Sequence, residues 1–215
     1  MHLLSVVLVS LLPTLSTAAP QVTSTPPATD AFTPPAVVSV SFSGSGCPQG
    51  TTDAPDSSLW ENFTFDLPSF KAKIGPSSTV AERTVNCQAH VNLRSSTAGW
   101  QFALKDHWSR GYFENNGAGA TLTQYLTVYF SQDAADTATA ARSIPSSNST
   151  VSKSLDLHTS IPEPALVWSP CGGSSILNVN FRMAFTGAAS GAAAYYGPGK
   201  SWPVSERWGW TWRRC

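Results

Sequence analysis

Residues 87–93 read Cys87-Gln88-Ala89-His90-Val91-Asn92-Leu93, and their small or apolar members alternate strictly with the polar ones. Successive side chains of a β-strand point to opposite faces, so this alternation is typical of a strand with one buried and one solvated face. A helix would instead repeat its apolar residues every three or four positions. The stretch therefore predicts a half-buried β-strand.

The same period of two recurs along the chain, and no window of helical length keeps an apolar stripe at i, i+3, i+4 and i+7. Clusters of Gly, Pro, Ser and Asn separate the runs, as turns between strands require. We therefore predict an all-β fold, an antiparallel β-sandwich of jelly-roll-like or barrel-like form, in a single domain. The further predicted strands cover 63–67, 100–105, 121–130, 176–185 and 207–213.

Two segments interrupt the alternation. Residues 134–154 are small and polar, and their first half suits either a short helix or a poor edge strand. Residues 187–203 are rich in Gly, Ala, Ser and Pro, so we predict a long mobile loop there.

The N-terminal part of the chain predicts export. Residues 1–19 combine an apolar run of about ten residues with the small residues Ala18 and Ala19, a pattern typical of a cleaved secretory signal. Residues 20–36 are rich in Pro and Thr and predict a flexible arm, with a propeptide as the alternative. The β-sandwich domain is then expected at 37–215, in a soluble protein that is secreted to the extracellular space or the cell wall.

The charge composition of the chain limits the classes of partner that we expect it to bind. The chain has 13 basic and 13 acidic residues, so its formal net charge is zero. Without a long-range positive field, binding to nucleic acid or to an anionic membrane is not expected. We expect a monomer whose partner is a cell-wall polysaccharide or an extracellular protein.

Four cysteines permit three patterns of disulfide pairing. Export places the thiols in an oxidising compartment, so two disulfides are expected. Sequential pairing, Cys47 with Cys87 and Cys171 with Cys215, closes two loops of roughly 40 residues, each stabilising by about 3–4 kcal/mol in the chain-entropy model. We predict this pairing.

Six short motifs lie along the chain: Gly46-Cys47-Pro48-Gln49-Gly50-Thr51, Phe65-Asp66-Leu67-Pro68-Ser69-Phe70-Lys71-Ala72-Lys73-Ile74-Gly75, Arg83-Thr84-Val85-Asn86-Cys87-Gln88, Tyr129-Phe130-Ser131-Gln132-Asp133, Leu166-Val167-Trp168-Ser169-Pro170-Cys171-Gly172 and Trp212-Arg213-Arg214-Cys215. Together with all four cysteines, these motifs closely resemble the domain of unknown function 4360 family, small secreted proteins found mainly in fungi. The resemblance covers about Val38 to Cys215, and residues 95–119 and 187–211 depart from the family pattern. It implies a secreted single domain and carries over no catalytic or binding residue.

Motifs that would identify an enzyme are lacking in the sequence, which contains no GxSxG elbow, HExxH or P-loop. His90, His107 and His158 show no ligand spacing, so neither a metal nor another cofactor is predicted. His107 next to Asp106 would suit half of a site, but we predict no catalytic residue. A glycosidase needs two facing carboxylates, and six acidic residues are candidates for that alternative. They are Asp66, Asp106, Glu114, Asp133, Asp156 and Glu206.

The tryptophans are the best remaining indication of function. Flat indole rings stack on sugar faces, and alternate residues of a strand lie roughly 7 Å apart on one face. Trp202, Trp208 and Trp210 are therefore candidates for stacking on a glycan, whereas Trp168 and Trp212 are expected in the core. The leading hypothesis is a non-catalytic secreted protein that binds glycan or protein. The alternatives are a glycan-active hydrolase and a secreted effector or inhibitor of a host enzyme.

Two Asn-X-Thr triplets predict N-glycosylation in a eukaryotic host, at Asn62 and Asn148. Asn148 lies in the polar segment and should be fully occupied, whereas Asn62 directly precedes a predicted strand with apolar alternation and should be occupied only in part. Mass analysis of tryptic glycopeptides from the secreted protein measures both occupancies. A bare Asn148 with a fully occupied Asn62 would contradict this prediction.

Overall fold

The computed structural model describes residues 33–53, 60, 63–94, 97–117, 119–145, 149–187 and 193–215. Within these residues the chain forms strands in two antiparallel sheets, which confirms the predicted all-β sandwich. Two short 3-10 turns, Ala81–Arg83 and Glu163–Ala165, are the described helical segments, and none of the described residues form a helix that is long and apolar enough to cross a bilayer. The strands are β1 (Ala36–Ser43), β2 (Phe63–Leu67), β3 (Ala72–Ile74), β4 (Thr84–Arg94), β5 (Trp100–Asn116), β6 (Ala120–Phe130), β7 (Asp133–Ile144), β8 (Thr150–Ser160), β9 (Ser175–Gly187), β10 (Ala194–Gly197) and β11 (Val204–Arg214).

The first sheet has the strand order β1-β4-β9-β6-β7. The second sheet is built around β5, whose residues 106–116 pair with β8 along one edge. Along the other edge β5 pairs with β11 through residues 100–110 and then with β10 through residues 112–115. The strands β11 and β10 therefore lie end to end, and β2 and β3 pair with their outer edges.

The core lies between the inner faces of the two sheets. Cys87, Ala89, Val91 and Leu93 of β4 are all buried, as the alternation in 87–93 predicts. The second sheet contributes most of the largest buried side chains, among them Trp208, Tyr196, Phe63 and Phe102. Burial of such aromatic side chains supplies most of the favourable free energy of folding in a sandwich of this size.

The two segments that interrupt the alternation both contain strands. The first half of 134–154 is the edge strand β7, one of the two predicted alternatives, and most of its side chains are exposed on both faces. The loop predicted for 187–203 contains β10, whose Tyr196 is fully buried. A four-residue strand is too short to show an alternation, so β10 was not visible in the sequence.

β10 also shows why Gly111 stands in the middle of β5. A Cβ atom at Gly111 would lie 2.3 Å from Cζ of Tyr196, so the tyrosine ring occupies the space that a side chain would need. The ring hydroxyl of Tyr196 lies 2.8 Å from Oγ of Ser109. The close packing of Gly111 and Tyr196 holds β10 against β5.

Both predicted disulfides, Cys47–Cys87 and Cys171–Cys215, are present. The first joins the segment after β1 to β4, and the second joins the segment before β9 to the end of β11. The predicted secretory signal, most of the predicted arm and both glycosylation asparagines, Asn62 and Asn148, lie outside the described residues. Ala36, the last residue of the predicted arm, is the first residue of β1.

The two disulfides should differ in their resistance to reduction. Cys47 and Cys87 are 0% and 3% exposed, whereas Cys171 and Cys215 are both exposed. A thiolate reductant must reach a sulfur atom to attack it, so mild reduction of the native protein should open Cys171–Cys215 first. Alkylation and mass spectrometry at successive times measures each bond, and equal rates of loss would contradict the prediction. The same reaction in urea is the control, because unfolding should remove the difference.

Candidate functional site

An open cleft of about 700 Å³ lies at the outer face of the second sheet, between β2 and the segment that joins β10 to β11. On β2, Thr64 and Asp66 face the cleft because they alternate with the buried Phe63, Phe65 and Leu67. The volume is within the range typical of small-molecule sites. The cleft walls include Thr51, Asp53, Thr64, Asp66, Lys200 and Trp202.

A tight turn places Trp202 at the cleft. The backbone N–H of Gly199 donates a hydrogen bond to the carbonyl oxygen of Trp202, with an N–O distance of 2.9 Å. A Cβ atom at Gly199 would lie 2.5 Å from Cε2 of Trp202, so the indole rests directly on the glycine. The guanidinium carbon of Arg110 lies 5.4 Å from the centre of the indole. The half-buried ring is therefore held in place from β5 and from its own turn.

Charged side chains of both signs line the cleft. Asp53 and Asp66 are carboxylates, and Lys200 carries an ammonium group at the tip of the turn. Among the described residues none of the three forms an ion pair within 4 Å. Carboxylates and an ammonium group beside an indole suit a ligand that has both an apolar face and many hydroxyl groups.

Two of the three predicted stacking tryptophans, Trp208 and Trp210, lie outside this cleft and line a separate depression of about 350 Å³ with Trp60 and Trp212. Trp208 is only 2% exposed and stacks on Phe63, with ring centres 5.0 Å apart, so its ring is not available to a glycan. Trp210 is half-buried and packs against Trp60 at 4.9 Å. The alternate positions 208, 210 and 212 of β11 face the aromatic core, and of the three predicted residues Trp202 alone lines the cleft. Trp168 and Trp212 pack against the core from partly buried positions, near where they were expected.

A β-bulge in β5 decides which side chains face outward. Gly209 of β11 pairs with Asp106, but Trp210 pairs with Leu104, so Lys105 is an extra residue in β5. Before the bulge Phe102 and Leu104 face the core, and after it His107 and Ser109 do. Asp106 and His107 therefore do not form half of a site together. The aromatic residue that the sequence prediction missed is Trp108, which the shifted alternation places on the outer face.

Behind this face a polar network crosses the core. His107 is fully buried, and its Nε2 forms a hydrogen bond with Oε2 of the buried Glu206. Its Nδ1 accepts a hydrogen bond from Nε2 of Gln124 on the opposite sheet, at 2.9 Å. Gln124 Oε1 in turn accepts one from the Thr159 hydroxyl at 3.1 Å. The network thus links β11, β5, β6 and β8.

Glu206 is incompletely satisfied in this network. Its Oε1 atom makes no hydrogen bond of ordinary geometry among the described residues, although the side chains of Ser109 and Trp208 are close enough to favour its charged form. Burial raises the pKa of the Glu206 carboxyl above its usual value, and the attraction and hydrogen bonding of His107 lower the pKa only in part. A buried carboxylate of this kind costs stability when it is charged.

The model of the domain of unknown function DUF4360 matches residues 34–215. The chain belongs to the DUF4360 family. The family description names no activity, so it brings no catalytic or binding residue to this site. The match confirms the resemblance that the six motifs and the four cysteines indicated.

Individual proteins are also similar to this DUF4360 chain. An uncharacterized secreted protein of Arthroderma benhamiae is 33% identical over 150 residues, which are 70% of this chain and 59% of the relative. The chain thus spans less than two thirds of the length of that relative. The crystal structure of the enzymatically active domain of bacteriophage CBA120 tailspike protein 4 matches 80% of this chain and 19% of its own, at 15% identity and a TM-score of 0.21. A likeness at this level carries no argument about the DUF4360 domain.

The candidate carboxylates of the DUF4360 domain are dispersed. Asp66 lies in the cleft, where Asp53 is its acidic neighbour, and Glu206 is in the core. Asp106 lies on the outer face, 2.8 Å from Nε2 of His158. In the described parts of the chain no three His, Cys, Asp or Glu side chains group as metal ligands.

Replacement of Glu206 by Gln should change the pH dependence of stability. Because the folded pKa of Glu206 is raised, its contribution to stability is present below the unfolded pKa and is lost as pH rises through the folded pKa. The unfolding free energy of E206Q minus that of the wild type should therefore increase with pH in this window, by up to about 1.4 kcal/mol per pH unit. Urea unfolding at pH 4 to 9 measures this difference. E163Q, at an exposed position, is the control, and equal slopes for all three proteins would contradict the prediction.

Proposed function

We propose that the protein is secreted and binds a glycan outside the cell, in the cleft at Trp202, without chemical turnover. The observation that carries this proposal is the half-buried Trp202 ring, held at the rim of a 700 Å³ cleft that also contains Asp53, Asp66 and Lys200. Saccharides present C–H groups on one face and hydroxyl groups around the edge. An indole ring stacks on the C–H face. The carboxylates accept hydrogen bonds from the hydroxyl groups, and the ammonium group donates hydrogen bonds to them.

Export is supported by two independent features. Both disulfides close, and disulfides persist in oxidising compartments outside the cytosol. The relative from Arthroderma benhamiae is described as a secreted protein. A location at the cell wall follows from the proposed ligand, because repeated wall glycans retain a protein through many weak contacts.

Affinity at such a site is expected to be low. One stacked ring adds about 1 kcal/mol beyond the area that it buries, and the cleft is open to solvent on one side. Binding to a single short oligosaccharide should therefore be weak, whereas retention on an insoluble polysaccharide should be measurable.

A glycan-active hydrolase is the second candidate. Asp53 and Asp66 line the same cleft, and a pair of carboxylates across a bound sugar is what glycosidases use. This second reading therefore depends on the presence of the two carboxylates in one cleft.

Replacement of Trp202 by Ala tests binding at the cleft. W202A should reduce retention on insoluble chitin or β-glucan about fivefold, with little change in thermal stability, because Trp202 is not among the residues packed against the core. W100A is the matched control. Trp100 is also half-buried and also faced by an arginine, Arg214, at 4.7 Å, but it lies outside the cleft.

The outcomes separate the two candidates. Equal retention of W202A and W100A would overturn glycan binding at the cleft. Accumulation of reducing ends in the wild-type incubation, abolished in D66N, would establish the hydrolase in place of the binding protein.

A further inference from the structure

A second depression, here called the groove, adjoins the cleft and shares Thr64 with it. Its volume is about 400 Å³, and its walls include Thr64, Trp108, Arg110, Asp156, Ser205 and Arg207. These side chains stand in two neighbouring rows across β2, β11, β5 and β8. One row is Thr64, Arg207, Trp108 and His158, and the other is Asp66, Ser205, Arg110 and Asp156.

In the first row, the Trp108 ring holds the guanidinium group of Arg207 in place. The guanidinium carbon of Arg207 lies 4.1 Å from the centre of the Trp108 ring. His158, from the strand on the other side of β5, stacks on the same ring at 4.7 Å and an angle of 11°. A Cβ atom at Gly209 would lie 3.0 Å from Cζ3 of Trp108, so the ring also rests on the backbone of β11. Trp108 is thus confined on three sides, and the guanidinium carbon of Arg207 lies over its ring.

Arg207 is also not neutralised by a neighbouring acid. Among the described residues no carboxylate oxygen lies within 4 Å of a nitrogen of the Arg207 side chain. The side chain is exposed and is therefore accessible to a ligand. The groove wall also holds two acids, Asp156, whose Oδ1 lies 3.8 Å from Nε of Arg110, and Glu206, which is buried and hydrogen-bonded to His107. The exposed acid of the groove therefore faces Arg110, and Arg207 is the cation that an incoming anion would meet.

A stacked guanidinium keeps its planar edge of N–H donors free, and that edge matches the two oxygens of a carboxylate. Because Trp108 already holds the side chain, little conformational entropy is lost when an anion binds. We propose that the glycan of this protein bears carboxylate groups, as uronic acids do, and that Arg207 binds a carboxylate in the groove while a neighbouring sugar occupies the cleft. This inference rests on the proposed function and names its ligand class.

Polygalacturonate and its methyl ester form a matched pair of probes, because esterification removes the charge and keeps the backbone. The wild type should bind polygalacturonate at least about tenfold more tightly than the ester, and added NaCl should weaken binding to the free acid only. R207A should lose this preference, and R207K should keep a part of it, since an ammonium group supplies charge without the planar fork. Affinity is measured by calorimetry or by gel retardation on the immobilised polymers.

R213A is the matched control variant. Arg213 lies on the same strand, and its guanidinium carbon is 4.0 Å from the centre of the Trp168 ring, but it lines neither the cleft nor the groove. Thermal melting of both variants excludes a difference in folding. Equal affinity of the wild type for acid and ester, or an equal loss in R207A and R213A, would overturn the inference.

Failure of this inference can be told apart from failure of the proposed function. If W202A weakens binding of both polymers while R207A changes neither, the cleft binds glycan and the carboxylate site is wrong. If R207A removes the preference for the acid while W202A binds as the wild type does, Arg207 binds the anion and the cleft is not the glycan site.

Discussion

The bulge at Lys105 in β5 is the constraint on which both faces of the second sheet depend. β5 is the strand that pairs with β8 on one edge and with β11 and β10 on the other, so its side-chain direction governs its neighbours. One extra residue reverses the alternation, which turns His107 into the core and Trp108 outward. Without that reversal the arginine of the groove would have no ring to lie on.

The buried polar network and the groove are built from neighbouring residues of the same two strands, β5 and β11. His107 and Trp108 are neighbours on β5, and Glu206 and Arg207 are neighbours on β11. The hydrogen bonds of the buried pair, carried on to Gln124 of the other sheet, form only in one register of β11 against β5. The groove is therefore built on a backbone whose register the core holds. A buried polar network of this kind stabilises less than an apolar core would, but it discriminates against alternative registers.

The cleft is less rigidly supported. Its charged groups come from a connection after the first disulfide cysteine, from the outer face of β2 and from the turn before β11. Turns are the usual location of binding residues on a β-sandwich, since they vary without disturbing the core. Gly199 and the hydrogen bond across the turn restrict Trp202, so the aromatic part of the cleft is the part that is held best.

The sequence by itself determined the fold class, the disulfide pairing and most of the long strands. Those features depend on the local alternation of side chains and on cysteines whose sequential pairing closes loops of moderate length. The same alternation indicated correctly that residues 87–93 have a buried face. It also placed Trp208 and Trp210 on one side of a strand, but alternation does not tell which side faces the core.

Tertiary structure decided that question and the composition of the site. The inward direction of Trp208 depends on the sheet that packs behind β11, and the outward direction of Trp108 depends on a bulge defined by pairing with β11. The partners of His107, at positions 124 and 206, are close only after both sheets have formed. Trp202 likewise meets Asp53 and Asp66 across more than 130 positions of sequence. Interactions between residues so far apart leave no local period in the sequence, which is why the cleft and the groove had to be read from the folded chain.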